Sequence, residues 1–184
     1  MFGARARILS AIIFAIYVSA IVLQPVQGAQ PNCKRCVAFR LDDIQDFYYS
    51  SEQRAFIEMF RQNNASITIG IIGSMFGNDT ELVDFIKQYR NDSRIEIANH
   101  GWLHEDFGLL EDAASQQGLL ENTNQRIHDL LGQDVLITTF IAPFNNVNDK
   151  TYEAVTNSGL YIVSADPVRD TIFANDQTSS SRLY

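Results

Sequence analysis

The sequence is short of basic residues, cysteine and histidine, and each shortage narrows its reading. Lys and Arg number 14 against 22 Asp and Glu, a net charge of −8. A surface of that sign repels phosphate backbones and anionic headgroups, so nucleic acid and an anionic membrane face are set aside as partners. No Gly-x-Gly-x-x-Gly opens the first helical stretch, which argues against a nucleotide-binding sheet. Internal repeats and low-complexity blocks are absent. There are three histidines, none after His128. The only cysteines, Cys33 and Cys36, stand before a strand-like run and not at a helix N-terminus, where a thiol pKa would fall. A local structural disulfide is the simplest reading of the pair; a metal clip or a redox couple stays open.

What is present is enough for one domain. The chain has 184 residues, 46% hydrophobic and 20% charged, within the range of globular proteins. Residues 1–28 read as a secretory signal: Arg5 and Arg7, an uncharged run from Ile8 to Leu23, then small residues at Gly28 and Ala29. The run is shorter than the roughly 20 residues of a spanning helix. Cleavage would leave no stable membrane insertion, and the body is expected outside the cell, with an uncleaved N-terminal anchor as the alternative. Residues 29–36 then form a linker carrying Cys33 and Cys36, and 37–184 the domain. Sequons at Asn64, Asn78 and Asn91 fall in stretches that read as exposed helix ends or loops.

Beyond the signal, strand-like and helix-like stretches alternate. "VAFRLDD", "SITIGIIG", "RIEIANHG", "VLITTFIAPF" and "LYIVSAD" are short, apolar and β-favouring. Between them, "SEQRAFIEMFRQNN", "DTELVDFIKQYRND", "EDAASQQGLLENTNQRIHDLLGQ" and "DKTYEAVTNSG" carry helical periodicity. Ser50 or Ser51 is the expected cap of the first helix, Asp79 or Thr80 of the second, and Gly159 closes the last. Repeated β-α units predict a parallel sheet with right-handed crossovers, either doubly wound or a barrel. Residues 167–184 are polar and patternless. A closed barrel needs more elements than these, so the sequence is read as the front portion of such a domain.

In parallel α/β folds the carboxyl ends of the strands carry the chemistry. The first strand ends in Asp42 and Asp43, the third in His100 and His104, the fourth in Pro143 and Phe144, and the fifth at Asp166. Adjacent carboxylates repel and resist burial unless a cation or proton joins them. Two histidines four residues apart share a face of a helical turn and can converge on one ion. With one carboxylate they leave a position open for water, as catalytic zinc sites do, and the second carboxylate is free to act as base. Trp102 and Phe107 could stack on a sugar or pack the loop. His128 reads as a structural residue on a helix surface.

The segments "FRLDDIQD", "NHGWLHEDF" and "FIAPFN", in this order and spacing, resemble the NodB-homology polysaccharide deacetylase family over about Val37 to Asp166. The resemblance implies an irregular (β/α) barrel and a hydrolase that removes N- or O-acetyl groups from an extracellular glycan with a divalent metal, commonly zinc. It implies Asp42 as catalytic base and Asp43, His100 and His104 as metal ligands. Pro143 and Phe144, and with them Trp102, would line the sugar groove, and Asp166 would be a supporting carboxylate. All three motifs depart from the pattern. Arg40, Leu41 and Ile44 surround the Asp pair, Gly101 stands where Ser or Thr is usual, and Ile141 holds the place of an Arg that orients the base. Arg40 and Arg169 are the candidates for that task. The histidine that serves as general acid has no counterpart here. A non-catalytic carbohydrate-binding module on this scaffold, or another metal-dependent amidohydrolase, therefore remain the rival readings.

Overall fold

The computed structural model describes residues 37–166. Cys33, Cys36, Arg169 and the signal-like segment lie outside the described residues. Five strands, β1 (Arg40–Ile44), β2 (Ile67–Ile71), β3 (Ile95–Asn99), β4 (Thr139–Ile141) and β5 (Ile162–Ser164), form one sheet. Four helices connect them: α1 (Ser50–Gln62), α2 (Thr80–Tyr89), α3 (Ala113–Leu131) and α4 (Asp149–Asn157). All pairings are parallel and the spatial order is β1-β2-β3-β4-β5. A doubly wound sheet reverses its strand order at a switch point. The unbroken order chooses the other option, an arc of a (β/α) barrel.

Strand alternation decides which face is core. Ile67, Ile69 and Ile71 of β2 and Ile95 and Ile97 of β3 are buried, as are Ile57 and Phe60 of α1 and Leu82, Val83 and Ile86 of α2. These residues form one apolar cluster with Leu120, Ile127 and Leu131 of α3. Full burial of each large side chain contributes about 1.5–3 kcal/mol. The opposite, concave face is mixed, with Phe39, Ile141 and Ile162 beside polar groups. Thr68, Glu96, Thr139 and Ser164 line a cavity of about 310 Å³ there. Within it the Glu96 carboxylate accepts hydrogen bonds from the hydroxyls of Thr68 and Thr139.

The helix boundaries agree with the expected stretches to within a few residues, with one exception in the capping. Residue Tyr49, at φ 49°, precedes α1 and no side chain caps it. The Ser50 hydroxyl donates instead to Asp79, whose other carboxylate oxygen caps α2 by accepting from the Leu82 N–H. The Ser50 bond is the first cause holding the Asp79 carboxyl below its usual range. Gly159, at φ 74°, ends α4 as expected. The fourth and fifth strands are shorter than their apolar runs: β5 stops at Ser164, before Asp166. Asn64, Asn78 and Asn91 are all exposed. Among the described residues no helix is long and apolar enough to cross a membrane.

Candidate metal centre

The adjacent carboxylates are presented by an irregularity in β1. Leu41 pairs with Ile69 and Ile44 with Ile71, so Asp42 and Asp43 together stand opposite Gly70. Two residues against one is a β-bulge, which re-aims a side chain. Asp43 takes the left-handed conformation, φ 61°. A regular strand would send the two side chains to opposite faces; the bulge turns both toward the concave side. Gly70 leaves room for this. A Cβ there would sit 3.3 Å from the Cβ and Cγ of His100 and 3.1 Å from Ile141 Cδ1. The bulge is held from behind by the buried Gln53 of α1, whose side-chain N–H donates to the carbonyls of Asp43 (3.3 Å) and Tyr48 (2.8 Å).

His100 and His104 converge by a different route from the expected helical turn. The segment after β3 is an irregular loop with Gly101 at φ 77° and His104 at φ 63°. The two imidazole centroids are 5.0 Å apart, edge to face. Asn99, fully buried, starts the loop. Its amide donates to the Leu120 carbonyl and to Asn124, while its oxygen accepts from the Gly101 N–H at 2.9 Å. The Glu105 carboxylate accepts from the Trp102 N–H. A Cβ on Gly101 would lie 3.1 Å from Glu105 Oε2 and 3.4 Å from Pro143 Cγ, so glycine fits where Ser or Thr was the usual residue.

Asp43 Oδ1 lies 3.2 Å from His100 Nε2 and 3.1 Å from His104 Nε2. The protonation of His100 follows from its other nitrogen. Nδ1 is 2.8 Å from the Ile141 carbonyl oxygen, which can only accept, so Nδ1 carries the proton. Burial pushes the His100 pKa down, against the opposing pull of the Ile141 carbonyl and the Asp42 charge. The neutral ring then directs the lone pair of Nε2 at Asp43. Lone pairs facing a carboxylate oxygen repel one another unless a cation sits among them. The donor set therefore fits a divalent metal: one carboxylate oxygen and two imidazole nitrogens, with the histidine backed by a carbonyl as metal-bound histidines are.

Asp42 stands beside this set. Its Oδ2 is 3.1 Å from an Arg40 guanidinium nitrogen, and its Oδ1 is buried with no hydrogen-bond partner. Arg40, one of the two arginines proposed to orient this carboxylate, is in contact with it; the other, Arg169, lies outside the described residues. Phe144 stacks edge to face on His104, centroids 4.7 Å apart, and is exposed beyond the site. Pro143 beneath it is buried. The Asp166 N–H donates to the Asn145 carbonyl, bringing the end of the fifth unit to the same turn. Trp102 is half-buried, with its ring over Gly73, where a Cβ would meet Trp102 Cε3 at 2.7 Å. Phe107 is fully buried against Phe140, which settles its role as packing. His128, half-buried on α3, bonds to the Val135 carbonyl and takes no part in the cluster. Gln53, Asn99 and the Ile141 carbonyl were not identified from sequence. The first two are ordinary polar residues in helix and strand, and a carbonyl carries no sequence signal.

The arc of a (β/α) barrel thus carries a cluster of Asp43, His100 and His104 at its carboxyl end that could hold one metal ion. A model of the family "Polysaccharide deacetylase" matches residues 29–163, and the chain belongs to that family. No curated protein sequence matches it significantly. Among solved structures it is similar to a family 4 carbohydrate esterase pseudoenzyme of Bacillus anthracis, with TM-score 0.56 and 16% identity over 69% of this chain and 42% of that one. It is similar also to the family 4 carbohydrate esterase of Streptomyces lividans, solved with acetate: TM-score 0.55, 22% identity, 70% of this chain and 61% of that one. For the peptidoglycan deacetylase PdaC of Bacillus subtilis the TM-score is 0.52 and the identity 16%, over 67% and 55%. At these identities the likeness is one of fold, and the chain spans between 42% and 61% of the length of these three structures.

Proposed function

We propose that the protein is a metal-dependent deacetylase acting on an acetylated extracellular polysaccharide, with Asp42 as base and Asp43, His100 and His104 holding zinc. The observation that carries this reading is the meeting of three metal-ligand atoms beside a carboxylate with a free buried oxygen. Bound at that set, zinc would polarise the acetyl carbonyl and acidify a water, and other first-row ions suit the same ligands. Asp42 Oδ1, already desolvated and unpartnered, takes the proton of the attacking water. The Ile141 carbonyl fixes the ring and tautomer of His100. Phe144 and Pro143, with Trp102 at the flank, supply the apolar wall on which a sugar ring rests, and Asp166 supports the turn that carries Phe144. The N-terminal segment 1–28 directs the protein out of the cell, where Cys33 and Cys36 pair as a local disulfide.

A second reading, a non-catalytic glycan-binding relative, has its own observation. Two histidines are in the cluster and the third, His128, is held elsewhere, so among the described residues no histidine stands beside the site to protonate the leaving group. One experiment separates the two. Acetate release from N-acetylated chito-oligomers and cell-wall fragments is measured with zinc present, for the wild type and Asp42→Asn. The enzyme reading expects turnover that falls by about 10²–10⁴-fold in Asp42→Asn with zinc still bound. Binding of the glycan without release of acetate by the wild type would establish the second reading.

A further inference from the structure

The Asp42 carboxylate does not hold its orientation alone. Arg40 lies two residues earlier on the same strand, so both side chains point to the concave face. Its guanidinium reaches three elements. One terminal nitrogen donates to the Ser164 hydroxyl at 2.7 Å and faces the Ser164 carbonyl at 3.4 Å, both on β5. The other donates to the Asn145 side-chain oxygen, in the turn after β4, and lies 3.1 Å from Asp42 Oδ2. The planar fork is thus pinned by acceptors on β5 and on the Phe144-bearing turn before it meets Asp42. With Oδ2 tied to the fork, Oδ1 is left as the unpartnered oxygen.

We infer that Arg40 is the positioning residue for the Asp42 base, fixing which carboxylate oxygen points at the reacting water, and that Ser164 and Asn145 in turn fix Arg40. This rests on the deacetylase reading for its kinetic consequence, while the geometric claim stands separately. Arg40 also spans β1 and β5, the two edge strands of the described sheet. The device that sets the base therefore senses the curl of the sheet.

Arg40→Gln and Arg40→Lys test the inference through two readouts. The first is acetate release from acetylated chito-oligomers with zinc. Arg40→Gln is expected to lower kcat by about a hundredfold, the scale of a misplaced reacting group, with KM and zinc affinity nearly unchanged. Arg40→Lys, which keeps the charge and loses the fork, is expected to recover only part of that loss. A lower melting temperature with kcat unchanged at assay temperature would make Arg40 a strut only and overturn the inference. The second readout is the crystal structure of zinc-soaked Arg40→Gln, where the Asp42 carboxylate is expected to leave its wild-type rotamer. An Asp42 that keeps its orientation there overturns the inference whatever the kinetics. If the wild type releases no acetate, the deacetylase reading fails and the crystal structure alone decides the role of Arg40.

Discussion

The two ends of the sheet differ in how the backbone is treated. Among the described residues, the non-glycine positions with positive φ are Asp43, Phe47, Tyr49, Asn64, His104, Phe144 and Asn145. All but Asn64 lie at or beyond the carboxyl ends of strands, the end that carries the metal-ligand set. Each such conformation costs of order 1–3 kcal/mol and persists only where its surroundings impose it. Toward the other end and across the helix layer, Asn64 is the one non-glycine exception among the described residues, and Ile and Leu side chains make up most of the packing, with Gln53, Gln116, Thr123 and Thr151 as its buried polar members. One region is built for stability, and the other consumes part of it to aim side chains. Substitutions should therefore separate cleanly by region.

The largest effect is expected from His100→Ala. It should weaken zinc binding, measured by calorimetry, by more than the about 10–100-fold that removing a supporting partner costs. Next comes Ile69→Ala in the core. It should destabilise the protein by about 2–5 kcal/mol in urea titration, with zinc affinity unchanged. Equal loss of zinc affinity there would erase the distinction between the regions. Gly101→Ala should cost about 1–2 kcal/mol, because a left-handed position becomes strained and Glu105 is crowded. It should also weaken zinc binding, since the loop carries His104.

Asp43→Asn sharpens the contrast by having the opposite sign. Without metal, the wild-type carboxylate faces the lone pair of His100 Nε2. An amide can donate to it and tolerates φ 61°. The metal-free variant should be more stable than the metal-free wild type by about 0.5–2 kcal/mol while losing zinc. The smallest effect is one of pH. Burial depresses the His100 pKa, so the unfolded chain takes the proton first as pH falls below the ordinary imidazole value of about 6.5. The metal-free protein should lose stability from there downward through the folded-state value, and the slope should flatten in His100→Ala.

The division also governs what could be read from sequence. The core region was legible: β-branched runs such as "SITIGIIG" and helical periodicity at Phe56, Ile57, Met59 and Phe60 place β2 and α1 to within a few residues. Asp42, Asp43, His100 and His104 were legible as residues because their types are rare at strand ends. Their geometry was not. The expected helical turn between the histidines is a left-handed loop, and the service of both carboxylates on one face depends on a bulge set by register with β2. The contact of Arg40 with β5 depends on strand curvature, which brings β5 across to β1. Ser50 serves Asp79 and not its own helix because the first turn of α1 begins at a left-handed Tyr49.

Anomalous diffraction from crystals soaked in zinc tests the central claim most directly. The expected result is a single ion about 2.0–2.2 Å from Asp43 Oδ1, His100 Nε2 and His104 Nε2 together. An ion bound elsewhere, or one held by the imidazoles with Asp43 turned away, would contradict the account.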